Sequence, residues 1–182
     1  MARVFLSLGS NVGDRLAHLR EAVRRLQAFP EIEFLDASRL YETEPWDTPP
    51  GEVPDRARWH LNCVAAIETT LAPWDLLESL QGLEAELGRP RTAASPEATR
   101  AEPRTMDIDI LFYGDWVLSA SEHLHIPHLS LHERGFVLRP LAELAPDFEH
   151  PVLYQTVREL LDELEDDHQV FASDLPRQWF LL

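Results

Sequence analysis

The sequence predicts an α+β fold on three observations. Short apolar runs of strand length alternate with two segments whose apolar residues recur at spacings of three and four, and Gly, Pro or Asp punctuates the boundaries. The elements follow one another as β-α-β-β-α-β, which is the ferredoxin-like arrangement: an antiparallel sheet with helices packed on one face, here extended by a further strand and helices toward the C-terminus. At 182 residues, with 45% hydrophobic and 26% charged residues, the chain has the size and balance of one globular domain. We take 1–182 as a single domain, with a core of about 1–150 and an extension of 151–182.

Val4 to Leu8 is a short apolar strand, and Gly9-Ser10-Asn11 with Gly13-Asp14 turns the chain after it. Asp14 is a good cap for a helix in which Leu16, Leu19, Val23, Leu26 and Phe29 share a face before Pro30 stops it. Ile32 to Tyr41 reads as the second strand and Leu61 to Glu68 as the third. Pro73 to Leu87 is the second helix, with Leu76, Leu77, Leu80, Leu83 and Leu87 on one side and Gly88 at its end. Met106 to Tyr113 is the fourth strand. Gly114-Asp115 leads into another strand, and short helical pieces are expected near Glu133 to Leu138 and Val157 to Leu164.

The fourth strand carries the strongest chemical signal. Alternation places Met106, Ile108, Ile110 and Phe112 on one face and Asp107 and Asp109 side by side on the other. Two carboxylates that close repel and raise one pKa unless a cation sits between them, and Mg²⁺ suits an all-oxygen site with few protein ligands. A half-exposed edge strand with two solvated Asp residues is the alternative. Upstream, residues 89–105 carry Arg89, Arg91, Arg100 and Arg104 against Glu97 and Glu102, a local balance of 4 − 2 = +2 in a chain of formal charge −16. Arginine grips phosphate oxygens bidentately, so this loop reads either as a basic flap for a metal-complexed polyphosphate or as a solvated surface loop.

Composition excludes several classes. All sixteen basic residues are Arg, so a Walker A loop, a protein-kinase strand lysine and Schiff-base chemistry are ruled out. The acidic balance argues against nucleic acid as a partner, and no apolar run is long enough for a membrane span. Cys63, alone and in an apolar context, is a core residue, and cytoplasm is the expected compartment. Two connections exceed what a compact sandwich needs. Glu42 to Trp59, with His60 just beyond it, carries Thr43, Pro45, Trp46 and Trp59, planar and bulky groups for a flat heterocycle, and Gly88 to Thr105 carries the arginines.

Taken in order, Gly9-Ser10-Asn11, Tyr41-Glu42-Thr43-Glu44-Pro45, Leu61-Asn62, Arg89 through Arg104 into Asp107-Ile108-Asp109, Ile126-Pro127-His128, Arg134-Gly135-Phe136 and Pro140-Leu141 resemble the hydroxymethyldihydropterin pyrophosphokinases of folate biosynthesis. The resemblance spans about the first 150 residues. It implies transfer of a pyrophosphoryl unit from MgATP to the hydroxymethyl group of 6-hydroxymethyl-7,8-dihydropterin, with release of AMP. By the same resemblance Asp107 and Asp109 hold two Mg²⁺ ions and Arg89 and Arg104 stabilise phosphate charge. Leu77, Glu84, Arg91, Arg100, Ile110, His128 and Arg134 match nucleotide-binding positions. Thr43, Pro45, Trp46, His60, Asn62 and Phe136 match the pterin pocket. ATP and the pterin are the expected partners of a monomer or weak homodimer.

The chain also departs from the family pattern. Ala101 and Glu102 stand where a Trp is usual in a shorter flap, His60 replaces a Phe or Tyr, His123 and His125 replace an Arg and a Thr, and Leu129 replaces a Tyr. Weaker ATP affinity is expected from these changes. His123, His125, His128 and His132, with Asp107, also allow a zinc hydrolase as an alternative, and the altered flap allows a relative that binds without turnover. The acidic run Glu159 to Asp167 reads as a solvated helix face, and the apolar Trp179-Phe180-Leu181-Leu182 as a segment packed on the domain or a partner.

Overall fold

The computed structural model describes residues 1–49, 51, 52, 54–88, 105–121 and 124–181. The chain forms β1 (Ala2–Ser10), α1 (Arg15–Leu26), β2 (Ile32–Ala37), β3 (Tyr41–Thr43), β4 (His60–Thr69), α2 (Pro73–Glu86) and β5 (Asp107–Tyr113). After these come β6 (Leu118–Ser121), β7 (Leu124–Ile126), α3 (Gly135–Leu144), α4 (Val157–Asp162) and β8 (Val170–Ala172). The main sheet runs β5-β1-β4-β3-β8, with β2 pairing β4 beyond β3, and its pairings are antiparallel. No helix of the described residues is long and apolar enough to cross a membrane.

The sheet has a core on each face. Val4, Leu6 and Leu8 of β1 meet Leu19, Val23 and Leu26 of α1 and Leu76, Leu80 and Leu83 of α2, so both crossover helices cover one face. Phe5 of β1, Val64 and Ala66 of β4 and Phe112 meet Val137, Leu138 and Leu141 of α3 and Val157 and Leu160 of α4 on the other. That second layer stops halfway along the strands. Beyond it, Ser7, Gly9, Asn62, Asp107 and Asp109 line an open cavity instead of a core.

Local chemistry explains the helix ends. The Asp14 carboxylate accepts from Ala17 N at 3.0 Å, satisfying a donor that the first turn of α1 leaves free. Pro73 opens α2 without wasting a hydrogen bond, and Gly88, at φ +98°, ends the segment in a conformation other residues adopt only with strain. Cys63 is fully buried on β4, and burial pushes its thiol far above the ordinary range, so it is a core residue.

Four expectations change, and two short strands are added. The stretch Ile32 to Tyr41 is two strands, because Ser38 turns its hydroxyl inward to accept from Val64 N at 3.0 Å and interrupts the ladder. Phe112 does not share a face with Met106, Ile108 and Ile110: the β1–β5 register shifts between Phe5 and Leu6, Leu111 is the extra residue, and the alternation flips after it. The helix expected over Glu133 to Leu138 runs instead over Gly135–Leu144, through Pro140, because Val137, Leu138 and Leu141 are all buried in the second core. The short β7 and β8 carry too few residues to show a period in sequence. The fourth change concerns Asp166 in the acidic tail, whose side chain is 2% exposed and therefore not part of a solvated face.

Residues 151–181 are integral to the packing. Trp179 is fully buried against the first core, donates from Nε1 to Ser38 O at 2.9 Å, and its own carbonyl accepts from Arg20 of α1 at 2.9 Å.

Candidate active site

The open half of the sheet face forms a cavity of about 810 Å³. It is walled by the β1–α1 turn, the loop after β3, one side of α2, the β7 end of the β6–β7 hairpin and the start of α3. Across its floor the strand order sets a sequence of chemistries. Asp107 and Asp109 on β5 stand opposite Gly9 and Ser7 of β1, Asn62 on β4 stands opposite Gly9 on its other side, and Tyr41 of β3 pairs with Asn62. With neighbouring strands about 4.8 Å apart, the carboxylates and the Asn62 amide are separated by roughly 10 Å.

Asn62 is buried, and its amide donates to Thr43 Oγ1 at 2.6 Å. That bond orients the carboxamide on the cavity floor. Gly9 makes room for it, since a Cβ at that position would collide with Asn62 Oδ1. At the opposite edge, buried Glu84 of α2 accepts from Ile108 N at 2.7 Å. Among the described residues β5 is an edge strand, and the carboxylate takes the outward N–H lying between the two Asp residues. The backbone that carries Asp107 and Asp109 is thereby tied to α2. The Leu111 carbonyl at the bulge accepts from His128 N at 3.0 Å, which anchors His128 after the cis Ile126–Pro127 bond.

Trp46 and Phe136 form an aromatic wall at 6.1 Å in an edge-to-face arrangement, and the Arg134 guanidinium lies 5.5 Å from the Trp46 ring and 5.7 Å from the Phe136 ring. The loop carrying Trp46 is held from below. Arg15 donates to Trp59 O at 2.8 Å and to Glu42 at 3.1 Å, clasping both ends of the connection to α1.

All the expected site residues that the structure describes line this one cavity: Thr43, Pro45, Trp46, His60, Asn62 and Phe136; Leu77, Glu84, Ile110, His128 and Arg134; Asp107 and Asp109. Arg89, Arg91, Arg100 and Arg104, with Ala101, Glu102 and His123, lie outside the described residues. Trp59 does not join them: it is buried and stacked on Phe171 of β8 at 5.9 Å, with the rings 4° from parallel. Its aromatic surface serves the sheet edge.

The histidine cluster is divided. His125 and His128 line the cavity, whereas His132 faces His150 at 6.4 Å. Among the described residues no group of three or more His, Cys, Asp or Glu is placed to hold a metal ion. Sequence reasoning missed Ser7, Gln81 and Arg58 in the cavity lining, and it missed His168 and Asp166 behind it. Asp166 sits in a charge run that reads as solvent-facing, so no local pattern marks it.

Residues 5–146 match the family model for 7,8-dihydro-6-hydroxymethylpterin-pyrophosphokinase. The chain is 42% identical over 165 residues to the 2-amino-4-hydroxy-6-hydroxymethyldihydropteridine pyrophosphokinase of Methylorubrum extorquens, covering 91% of this chain and 95% of that protein. To the Pseudomonas aeruginosa protein of the same name it is 39% identical over 149 residues, covering 82% and 84%. It is also 43% identical over 163 residues to the folic acid synthesis protein fol1 of Schizosaccharomyces pombe, covering 88% of this chain but only 20% of that longer protein. Among solved structures, Plasmodium falciparum HPPK-DHPS with pteroate superposes with a TM-score of 0.65 at 18% identity, covering 89% of this chain and 42% of that one. The mixed α+β architecture with its antiparallel sheet is thus a known one, and the chain belongs to the 7,8-dihydro-6-hydroxymethylpterin-pyrophosphokinase family.

Proposed function

We propose that this chain transfers a pyrophosphoryl group from ATP to the hydroxymethyl group of 6-hydroxymethyl-7,8-dihydropterin, in folate biosynthesis, with Mg²⁺ as cofactor. Family membership supports the reaction, and one observation supports its location. A single cavity places paired carboxylates on β5 and an oriented amide on β4, with a hydroxyl on β3, along one floor about two strand spacings long. A volume of about 810 Å³ accommodates two small-molecule substrates side by side.

In this reading the pterin lies over β4 and β3. Asn62, fixed by Thr43, offers a donor and an acceptor to the pyrimidine-like edge, while Phe136, Trp46, Pro45 and His60 contact the ring faces. The nucleotide lies beyond β5, against Leu77 and Glu84 of α2, Ile110, His128 and Arg134. Asp107 and Asp109 fit Mg²⁺ by donor chemistry: they are oxygen ligands on one side of a strand, with the Ser7 hydroxyl across from Asp109. When bound there, two such ions supply the positive charge that neutralises the triphosphate. Arg89 and Arg104, with Arg91 and Arg100, are assigned to the phosphates.

The pterin hydroxymethyl oxygen attacks the β-phosphorus, the bond from that phosphorus to the α,β-bridging oxygen breaks, AMP leaves, and the hydroxyl proton passes to solvent. The residues lining the cavity align the two substrates and form no covalent bond with them. The same reading takes the core as ferredoxin-like, supported by a sheet order in which the strand pair β2/β3 flanks β4, β4 flanks β1, β1 flanks β5, and both crossover helices share a face. It also takes the chain as a single cytoplasmic domain, a monomer or weak homodimer. Incubation with MgATP and the pterin is the test: pterin-dependent AMP is the expected product. ADP, or binding of both ligands without turnover, would replace this reading with another phosphotransfer or a binding role.

A further inference from the structure

Behind the aromatic wall of the cavity, the segment between α4 and β8 makes a set of contacts that the reaction itself does not require. The His168 imidazole stacks on the Trp46 indole at 4.7 Å between centroids and 27° between planes. Its Nδ1 is 2.6 Å from Asp166 Oδ1, which also accepts from His168 N at 3.0 Å. The other oxygen, Asp166 Oδ2, accepts from Gly135 N at 2.7 Å. One carboxylate, 2% exposed, therefore fixes His168 with one oxygen and the first residue of α3 with the other. Gly135 is flanked by Arg134 and Phe136, both of which line the cavity. The approach is close: a Cβ at position 135 would stand 3.0 Å from Oδ2, so Asp166 would have to give by a few tenths of an ångström. Gln169, the residue after His168, closes the arrangement by exchanging bonds with Glu44, two positions before Trp46: Gln169 N donates to Glu44 Oε2 at 3.0 Å and Glu44 N donates to Gln169 O at 2.9 Å.

We propose that His168, held by Asp166, is a positioning residue for the pterin site: it stacks on Trp46 and so fixes where the Trp46–Phe136 wall stands in the cavity. The physical case is one of rigidity. Trp46 is 39% exposed and sits on a loop, so its indole would sample several rotamers if unsupported. Trp46 touches Phe136 at its edge and His168 across its face, and both of those residues are tied to the same buried carboxylate, Phe136 through its neighbour Gly135. Both rings of the aromatic wall thus share one anchor, supplied by a segment that lies beyond residues 5–146 of the family match. The C-terminal extension is on this reading part of the substrate site, an assignment that rests on the pterin being the ring bound against the Trp46–Phe136 wall.

Calorimetric titration with 6-hydroxymethyl-7,8-dihydropterin and, separately, MgATP, together with steady-state kinetics, tests this in the full chain and in His168→Ala and His168→Phe. Each is also made with Trp46→Phe, so that Trp46 emission is obtained by difference. The Ala variant should weaken pterin binding and raise its KM by about two- to tenfold, the range of a lost aromatic contact, with kcat and MgATP affinity unchanged and Trp46 emission shifted toward that of solvated indole. Phe, which stacks without the Asp166 bond, should recover the pterin affinity and emission. Pterin affinity and Trp46 emission of His168→Ala equal to wild type would overturn the inference. So would parallel loss of pterin and MgATP binding, or a Phe variant no better than Ala, either of which indicates general loosening. Absence of pterin binding by the wild-type protein would instead be failure of the site assignment itself.

Discussion

Gly9 faces Asn62 across the β1–β4 pair, and the Asn62 carboxamide oxygen occupies the space that a side chain at position 9 would fill. The glycine is there for the amide and not for a turn. Substituting Gly9→Ala must therefore push Asn62 off its 2.6 Å bond to Thr43 or strain the strand pair, at a cost of about 1–3 kcal/mol. We expect pterin affinity to fall by one to two orders of magnitude while MgATP affinity holds, measured by separate titrations. Equal losses for both ligands would mean that Gly9 serves the sheet rather than Asn62.

Glu84 supports the carboxylate strand from the other side. Its bond to Ile108 N satisfies a buried edge donor between Asp107 and Asp109, so Glu84→Ala leaves that N–H without its partner, at a cost of about 1–3 kcal/mol. The expected result is a lower unfolding midpoint and weaker Mg²⁺-dependent ATP binding. Glu84→Gln, which keeps the acceptor, should preserve most of both. Thermal melts and nucleotide titrations on the two variants separate loss of the bond from loss of the charge.

Paired carboxylates on one side of a strand trade stability for function. Asp107→Asn and Asp109→Asn should each reduce turnover on the order of 10²–10³-fold, the loss typical of removing one preorganised group that handles developing charge. The same variants should melt at or above the wild-type temperature without Mg²⁺, since a like-charge repulsion is gone, and should lose the stabilisation that Mg²⁺ and ATP give the wild type. Activity retained in both variants would remove these residues from the metal site.

How far the sequence carried this site follows from what each residue depends on. Asp107 and Asp109 were legible because two-residue alternation is a property of the strand itself, and Asp14 because capping is local. The face of Phe112 was not, since a bulge at Leu111 depends on how β1 pairs with β5. Trp59 and Trp46 look alike in sequence, both aromatic residues of one long loop, and only the arrival of Phe171 from β8 turns the first into packing and leaves the second in the cavity. Asp166 was hidden for the same reason. A carboxylate in an acidic run is buried only because Gly135 N and His168 meet it there.

Trp179 provides a test of how strongly the C-terminal segment holds the domain together. It is wholly buried, bonds Ser38 through Nε1 and holds Arg20 through its carbonyl. Trp179→Ala is expected to destabilise the chain by about 3–5 kcal/mol, the range for deleting a large buried aromatic. Trp179→Phe should recover much of that apart from the hydrogen bond. Urea unfolding of the two variants reads the difference. A loss below about 1 kcal/mol for the Ala variant would mean that the segment rests on the first core without contributing to it.

His150 gives the fold a pH dependence with a definite sign. Burial, and then the nearby His132, push its pKa below the ordinary histidine value, and its Nδ1 accepts from Val152 N and Leu153 N at 3.2 Å each. The neutral ring is the folded form. The unfolded chain, with a histidine pKa of about 6.5, binds the proton more readily, so the contribution of His150 is fully present above that pH and is lost as pH falls through it. The unfolding midpoint should therefore drop between about pH 7 and pH 5.5. His150→Asn, which can still accept from the two backbone N–H groups but does not titrate, should flatten that part of the profile even though losing the ring contact with Phe112 lowers the midpoint throughout. A variant profile parallel to wild type over this range would assign the slope to another group.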